Sequence, residues 1–278
     1  MDMKKIRLDV LLVERGLADS RNLAQRLVMA GQVRVNGERV LRSSANVSPD
    51  VQLAVDQGPP YVSRGGEKLA AALTKFGVDV HGQICADVGA STGGFTDCLL
   101  QHGASRVYAI DVGHGILDWK LRQDPRVVVM EGTNARLLVR LPEPVQVITI
   151  DVSFISLKVI LPVVWDWLLS QENHPIGSVI ALVKPQFEAG RKEVSRGKGV
   201  IRDPAVHRQV LTDVLSYAYE IGFSVHGLIR SPLIGPKGNV EFLAWLECNG
   251  GQAATIEDLI SNVLIYEGSP PRGVSFGS

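Results

Sequence analysis

The sequence is poor in the features that mark disulfide-stapled, zinc-bound and membrane-spanning proteins. Its 278 residues contain three cysteines, Cys85, Cys98 and Cys248, an odd number with no CxxC pair. They match neither a disulfide framework nor a zinc-finger spacing, so a reducing, cytoplasmic setting and no metal are expected. Net charge is also missing, since 29 Lys and Arg balance 29 Asp and Glu. The total therefore gives no sign of a polyanionic partner. Long apolar runs are absent too. The most membrane-like stretch, VQVITIDVSFISLKVILPVVWDWLL, is interrupted by Asp151, Lys158, Pro162 and Asp166, and it reads as a buried strand followed by a helix. MDMKKIRLDVLLVERG carries Asp9, Glu14 and Arg15 where a signal peptide needs an apolar core, so no secretion signal is expected. No internal repeat is visible.

What is present is an ordinary globular composition, 45% hydrophobic and 21% charged, enough for one sizeable core and a smaller domain. The charge is unevenly spread. Residues 1–45 hold Lys4, Lys5, Arg7, Arg15, Arg21, Arg26, Arg34, Arg39 and Arg42 against five acids, so the first segment alone is basic. Within it, RLDVLLVERG reads as a short amphipathic helix stopped by Gly16. SRNLAQRLVMAG reads as a second, with Ser20 as N-cap and Gly31 past its end. QVRVNGERVL alternates about Asn36-Gly37, a pair that tolerates the positive φ of a type I′ hairpin. A strand VQLAV closes the unit, and Gly58-Pro59-Pro60 marks a boundary. The expected division is a domain over 1–60, a linker over 61–66, a second domain over 67–250, and a helix with a loose tail over 251–278.

Beyond the boundary, candidate strands ICADV, RVYAIDV, VVVME, VQVITID and SVIALVK alternate with helix-length segments, and FSVHGLIRS and VEFLAWLE follow. This rhythm predicts an α/β fold with a mostly parallel sheet covered on both faces. In such a sheet ligands bind outside the carboxyl ends of the strands, where a glycine-rich turn brings backbone N–H groups and a helix N-terminus close to them. ADVGASTGGFTD has that form, but no glycine stands two places after Gly89, which weakens a dinucleotide reading. Asp111, about twenty residues on, can accept hydrogen bonds from ribose hydroxyls. Together these favour a nucleoside without a pyrophosphate. S-adenosylmethionine fits, with Asp87 and the glycine backbone near its methionine end, Asp111 on the ribose and Asn134 near the adenine. The plainer reading, that Gly93 and Gly94 only permit close strand-helix packing, stays open at this point.

Four charged residues stand at element ends. Asp151 and Lys184 follow strands and should face the same crevice. Glu241 lies in an apolar strand where an unpaired carboxylate is costly, so a cationic neighbour is expected. Lys68 lies in the first turn of a helix, where the macrodipole disfavours a cation.

SRGGEKL, DVGASTGGFTD, DVSFISL, LVKPQFE and GKGVIRDP resemble the TlyA (hemolysin A) family of ribosomal RNA ribose 2′-O-methyltransferases over nearly the whole chain. The resemblance implies an alpha-L type RNA-binding domain followed by a Rossmann-like, FtsJ-type S-adenosylmethionine-dependent methyltransferase domain. It implies a Lys-Asp-Lys-Glu catalytic tetrad on Lys68, Asp151, Lys184 and Glu241. Cofactor contacts are expected from Asp87, Gly89, Ser91, Gly93, Gly94, Phe95, Asp111, Asn134 and Asp151. The substrate it implies is cytidine in ribosomal RNA or a ribosomal subunit, acted on by a monomer away from membranes. A 2′-hydroxyl is a poor nucleophile at neutral pH, so catalysis should lie in alignment and proton removal, with Lys184 as proton acceptor.

RNA affinity should come largely from phosphate neutralisation. Arg21, Arg26, Arg34, Arg39 and Arg42 are expected to form one face of the first domain. Arg64 and the stretch GRKEVSRGKGVIR, with Arg191, Lys192, Arg196 and Lys198, are expected to touch RNA from the second, the glycines at 190, 197 and 199 making that stretch a mobile flap. Two other classes of function compete: a pore-forming haemolysin, recorded in the family's older name, and an RNA-binding assembly factor without turnover. For the first, the sequence offers no spanning helix, no signal peptide and no alternating barrel segments.

Overall fold

The computed structural model describes residues 5–56, 58–169, 177–248 and 254–265, and the chain divides into compact units over 1–60 and 61–278. The first unit contains β1 (Ile6–Arg7), α1 (Leu8–Glu14), α2 (Arg21–Met29), β2 (Val33–Val35), β3 (Glu38–Arg39), β4 (Asn46–Val47) and β5 (Leu53–Val55). The Ser20 hydroxyl accepts the Leu23 N–H and so caps α2. Asn36 and Gly37 both hold positive φ between Val35 and Glu38, giving the two-residue hairpin. β5 adds to β2, and β1 pairs with β4 in a separate ribbon. Leu8, Leu12, Ala18, Ala24, Val28 and Val33 form the core.

In the second unit α3 (Gly65–Phe76) precedes β6 (Ile84–Val88), α4 (Gly94–Gln101), β7 (Arg106–Ile110), α5 (Trp119–Gln123), β8 (Val127–Met130) and β9 (Val147–Ile150). Then come α6 (Leu157–Leu169), β10 (Gly177–Val183), α7 (Pro185–Glu188), α8 (Arg191–Arg196), α9 (Pro204–Glu220), β11 (Ser224–Arg230), β12 (Phe242–Cys248) and α10 (Ile256–Ile265). Seven strands form one sheet in the order β11-β12-β10-β9-β6-β7-β8, with β12 antiparallel to both neighbours and the other pairings parallel. Side chains from α6, α9 and α10 pack with one face, those of α3, α4 and α5 with the other. Ile148, Ile150, Leu161 and Ile180 are fully buried, and each contributes about 1.5–3 kcal/mol.

This topology sets the site. From β6 the chain winds outward through β7 and β8, then returns to β9 and winds the other way through β10, so the carboxyl ends of β6 and β9 flank the switch point. Because β12 runs in reverse, its start lies at that same edge. Val183 pairs with Phe242, which brings the next residues outward, Lys184 and Glu241, side by side.

Residues 61–66 do not form a linker. Val62 N–H donates to the Asp97 carboxylate, Tyr61 and Val62 pack on the second unit's core, and α3 already begins at Gly65. The tail beyond 265 lies outside the described residues. Among the described residues no helix is long and apolar enough to cross a membrane.

Candidate active site

The glycine turn after β6 is shaped first by packing. Gly89 has φ +87°, and a Cβ there would sit 2.6 Å from the Asp151 carbonyl oxygen, so the turn lies directly against the chain leaving β9. A Cβ at Gly93 would collide with Leu117 and Leu121, and one at Gly94 with Ser63 and the start of α3. Close packing thus requires glycine at both positions, against helices and their leading segments and not against a strand. Gly94 also borders a cavity, whereas Gly93 does not.

Asp87 is not brought to the ligand side. Its carboxylate is fully buried and accepts the hydroxyls of Thr96 (2.7 Å) and Thr149 (3.1 Å), tying α4 and β9 to β6 from beneath the turn. Burial pushes its pKa up to about 7, against the lowering effect of the two threonines. Its inward aim corrects the expectation of a methionine contact. Asp111 does face the crevice: its oxygens accept the N–H groups of Ser91 (2.8 Å) and Gly113 (2.7 Å), and each retains a lone pair. Asn134 lies across the same cavity, its side-chain oxygen capping the turn at Ala135–Leu137.

The four charged residues form two ion pairs. Lys68, fourth residue of α3, places Nζ 2.5 Å from Glu241 Oε2; its side chain is 12% exposed and that of Glu241 is 0% exposed. This is the cation that a carboxylate at the head of β12 requires. Lys184 Nζ lies 2.6 Å from Asp151 Oδ1 and donates to Ser153 Oγ at 3.0 Å. The contact with Asp151 is close but not aligned as a hydrogen bond, so that oxygen keeps acceptor capacity.

Three cavities converge on these pairs. One of about 530 Å³ is bordered by Ile110, Asp111, Ile116, Asn134, Ile155 and Ile160. A second, of about 430 Å³, runs along Gly89, Ser91, Gly94 and Phe95 and includes Arg64, Lys68, Asp151, Lys184 and Glu241. Gly89, Ser91 and Asp151 border both. The third, of about 830 Å³, shares Lys184 and Glu241 with the second and is walled by Phe154, Gln186 and Phe187.

Several supporting residues gave no sequence signal. Glu131 accepts three successive N–H groups, from Gly115 (2.8 Å), Ile116 (2.9 Å) and Leu117 (3.0 Å), and pairs with Arg122. These donors hold its carboxyl well below the usual range, Arg122 most of all. Glu131 thereby fixes the loop that carries Ile116 to the first cavity. Glu188 accepts Ser156 Oγ (2.5 Å) and Leu157 N–H (2.8 Å), joining α7 to the loop that carries Asp151. Phe154 holds φ +65° while 90% exposed, a conformation that bulky residues rarely adopt, with its ring 4.9 Å from that of Phe187. Both phenylalanines lie inside DVSFISL and LVKPQFE, so their position beside Asp151 and Lys184 was the available clue.

The basic residues are placed unequally. Arg21 bonds buried Asp9 (3.1 Å), and Arg34 binds Asp56 through both its oxygens. Arg26, Arg39 and Arg42 are exposed. Arg21 and Arg26 stand five positions apart on α2, about 140° around its axis, so one face does not hold both. Arg64 borders the second cavity. The stretch expected as a flap contains a six-residue helix, α8, whose Val194 and Ser195 border the third cavity. Arg196 and Lys198 are exposed, and the side chains of Arg191 and Lys192 lie outside the described residues.

The FtsJ-like methyltransferase family profile matches residues 61–248, and that of the S4 domain matches residues 6–53. A Bacillus subtilis protein whose name proposes rRNA methylation is 50% identical over 257 residues, 90% of this chain and 88% of that one. The Mycobacterium tuberculosis 16S/23S rRNA (cytidine-2′-O)-methyltransferase TlyA is 43% identical over 262 residues, 92% of this chain and 95% of that one. A solved structure from Streptococcus thermophilus, described as a hemolysin candidate, is 44% identical with a TM-score of 0.69, covering 96% of each chain.

Proposed function

The chain belongs to the FtsJ-like methyltransferase family, and on that premise we propose that it methylates the ribose 2′-hydroxyl of a cytidine in ribosomal RNA, using S-adenosylmethionine. The observation that carries the reading is the pair of ion pairs, Lys68–Glu241 and Lys184–Asp151, bordering one cavity beside the glycine turn.

The residues present suit the methyl donor. Asp111 retains acceptor sites for two ribose hydroxyls, isoleucines at 110, 116, 155 and 160 supply apolar walls for an adenine, and Asn134 supplies a polar group beside them. The glycine-turn cavity continues from there to Lys68, Asp151 and Lys184. S-adenosylmethionine supplies, when bound, an already activated sulfonium methyl. The chain therefore needs to align a hydroxyl and remove its proton. Lys184 receives that proton at Nζ on entering the reaction as the neutral amine, and leaves it as the ammonium paired with Asp151, with Asp151 and Ser153 fixing its direction. Lys68 and Glu241 hold the ribose. All four charged groups belong to one unit, so the scheme uses no residue of a second chain; the acting species in this reading is a monomer in the cytoplasm with its ribosomal substrate.

The S4 domain supplies the RNA-binding half of the reading, with Arg26, Arg39 and Arg42 exposed to meet phosphates and Arg21 and Arg34 held by Asp9 and Asp56. Names of relatives support the substrate: the M. tuberculosis protein carries both its base and its hydroxyl in its name. The experiment is methyl transfer from labelled S-adenosylmethionine to separated ribosomal subunits and free rRNA, with the modified nucleotide mapped. Lys184→Ala and Asp151→Ala variants that still bind the cofactor should lose turnover. Wild-type turnover in either overturns the catalytic assignment, and labelling of no RNA overturns the function.

A further inference from the structure

The third cavity is larger than the other two, touches the reacting edge through Lys184 and Glu241, and meets the first cavity at Ser153 and Phe154 without including Asp111, Asn134 or the glycine turn. A ribose presented to Lys184 carries its base one bond from the carbon next to the reacting one. The base must therefore lie within one sugar of that lysine, and this cavity is adjacent to it. Its walls suit a nucleobase, with two phenylalanine rings and the side-chain amide of Gln186.

Gln186 has an imbalance that points to a ligand. Its Nε2 faces Glu241 Oε1 at 3.5 Å. Because a carboxylate only accepts, that contact fixes which end of the amide is the nitrogen. The other end, Oε1, is buried without a hydrogen-bond partner among the described residues. Orphaned buried acceptors are uncommon and call for a donor. Cytosine offers one in its exocyclic amino group, while uracil places a carbonyl oxygen at the same position and would oppose Oε1.

We propose that Gln186 is a specificity-determining residue, accepting a hydrogen bond from the exocyclic amino group of the target cytosine seated in the cavity walled by Phe154 and Phe187. This rests on the 2′-O-methylation reading above and adds the group that selects the base.

The test uses the full-length protein and rRNA transcripts in which the mapped target is cytidine, uridine or a pyrimidin-2-one ribonucleoside lacking the amino group. The wild-type enzyme should prefer cytidine over both others in kcat/KM by on the order of tenfold. Gln186→Leu should bring the three substrates to within about twofold of one another, by loss on cytidine and relief on uridine, with the S-adenosylmethionine dissociation constant unchanged. Full cytidine preference in Gln186→Leu overturns the proposal. Should that variant be inactive on every substrate, the wild-type comparison decides: equal use of the pyrimidinone, or a preference for uridine, overturns it, and rejection of both supports it. A wild-type enzyme inactive on all three transcripts and on ribosomal subunits refutes the methyltransferase reading instead, so the two failures are distinguishable.

Discussion

Replacing Lys68 with Met tests whether the Lys68–Glu241 contact is a genuine buried ion pair. The Glu241 side chain is fully enclosed and its counter-ion is 2.5 Å away. Among the described residues the other side chain bonded to Glu241, Gln186 Nε2 at 3.5 Å from Oε1, is a neutral amide and does not replace a cation. Removing one partner of such a pair strands a charge and costs about 3–5 kcal/mol. Lys68→Met should therefore destabilise the second unit by that amount. Glu241→Gln alone should cost less, since Lys68 reaches partial solvent. The double variant should regain most of the loss, because a neutral amide beside a thioether has no stranded charge. Methyl transfer should be lost in all three. The assay is urea unfolding followed by tryptophan fluorescence: Trp119, Trp165, Trp167 and Trp245 all lie beyond residue 60, so the signal reports the second unit alone. A Lys68→Met variant within about 0.5 kcal/mol of wild type, or a double variant as unstable as Lys68→Met, would refute the reasoning.

Other outcomes follow from residues around the site. Asp87 has a pKa raised from 3.8 to about 7 in the folded state. The folded protein then holds a proton that the unfolded chain has released, and stability falls as pH rises between these values. Asp87→Asn, which keeps an acceptor and a donor for the two threonines, should flatten that decline and gain at most about 4 kcal/mol near pH 8; an unchanged pH profile of urea midpoints would count against it. Glu131→Gln removes the negative charge and one of the two oxygens that hold the 115–117 loop and should weaken S-adenosylmethionine binding by about 5- to 10-fold, read by calorimetry, with little effect on RNA affinity. Arg26→Ala with Arg39→Ala should lower rRNA affinity and reduce the salt slope by about two, leaving cofactor binding intact; an unaltered slope would remove these arginines from the interface.

Much of the scaffold was legible because its signals are local. Asn36-Gly37 needs only its own φ values, Ser20 only the N–H three residues on, and each strand of the large sheet is a self-contained apolar run. The two-residue strands β1 and β4 escaped because so short a segment has no periodicity. Residues 61–66 read as a linker because a proline pair precedes them, while their attachment depends on Asp97, over thirty residues away. At the site, the residue types were legible and their directions were not. Strands covered on both faces do not reveal which way a side chain points, so Asp87 could not be told from a ligand contact until Thr96 and Thr149 came to meet it. Glu241 announced a missing cation, but that it is Lys68, 173 residues earlier, is a fact of topology. Gln186 and Glu131 carry no chemical oddity in the sequence; they become notable only through what they touch or lack.

The reversed strand has a consequence for biosynthesis. Among the described residues β12 is made after every other strand of the sheet, yet it lies between β10 and β11, and β11 hydrogen-bonds to no other described strand. Until residues 242–248 emerge, the edge of β10 stands open and the newly made β11 has nothing to pair with. Glu241 arrives with that same strand, and the ion pair with Lys68 closes only when it is inserted. A partly synthesised chain thus lacks both a closed sheet and the carboxylate that pairs with Lys68.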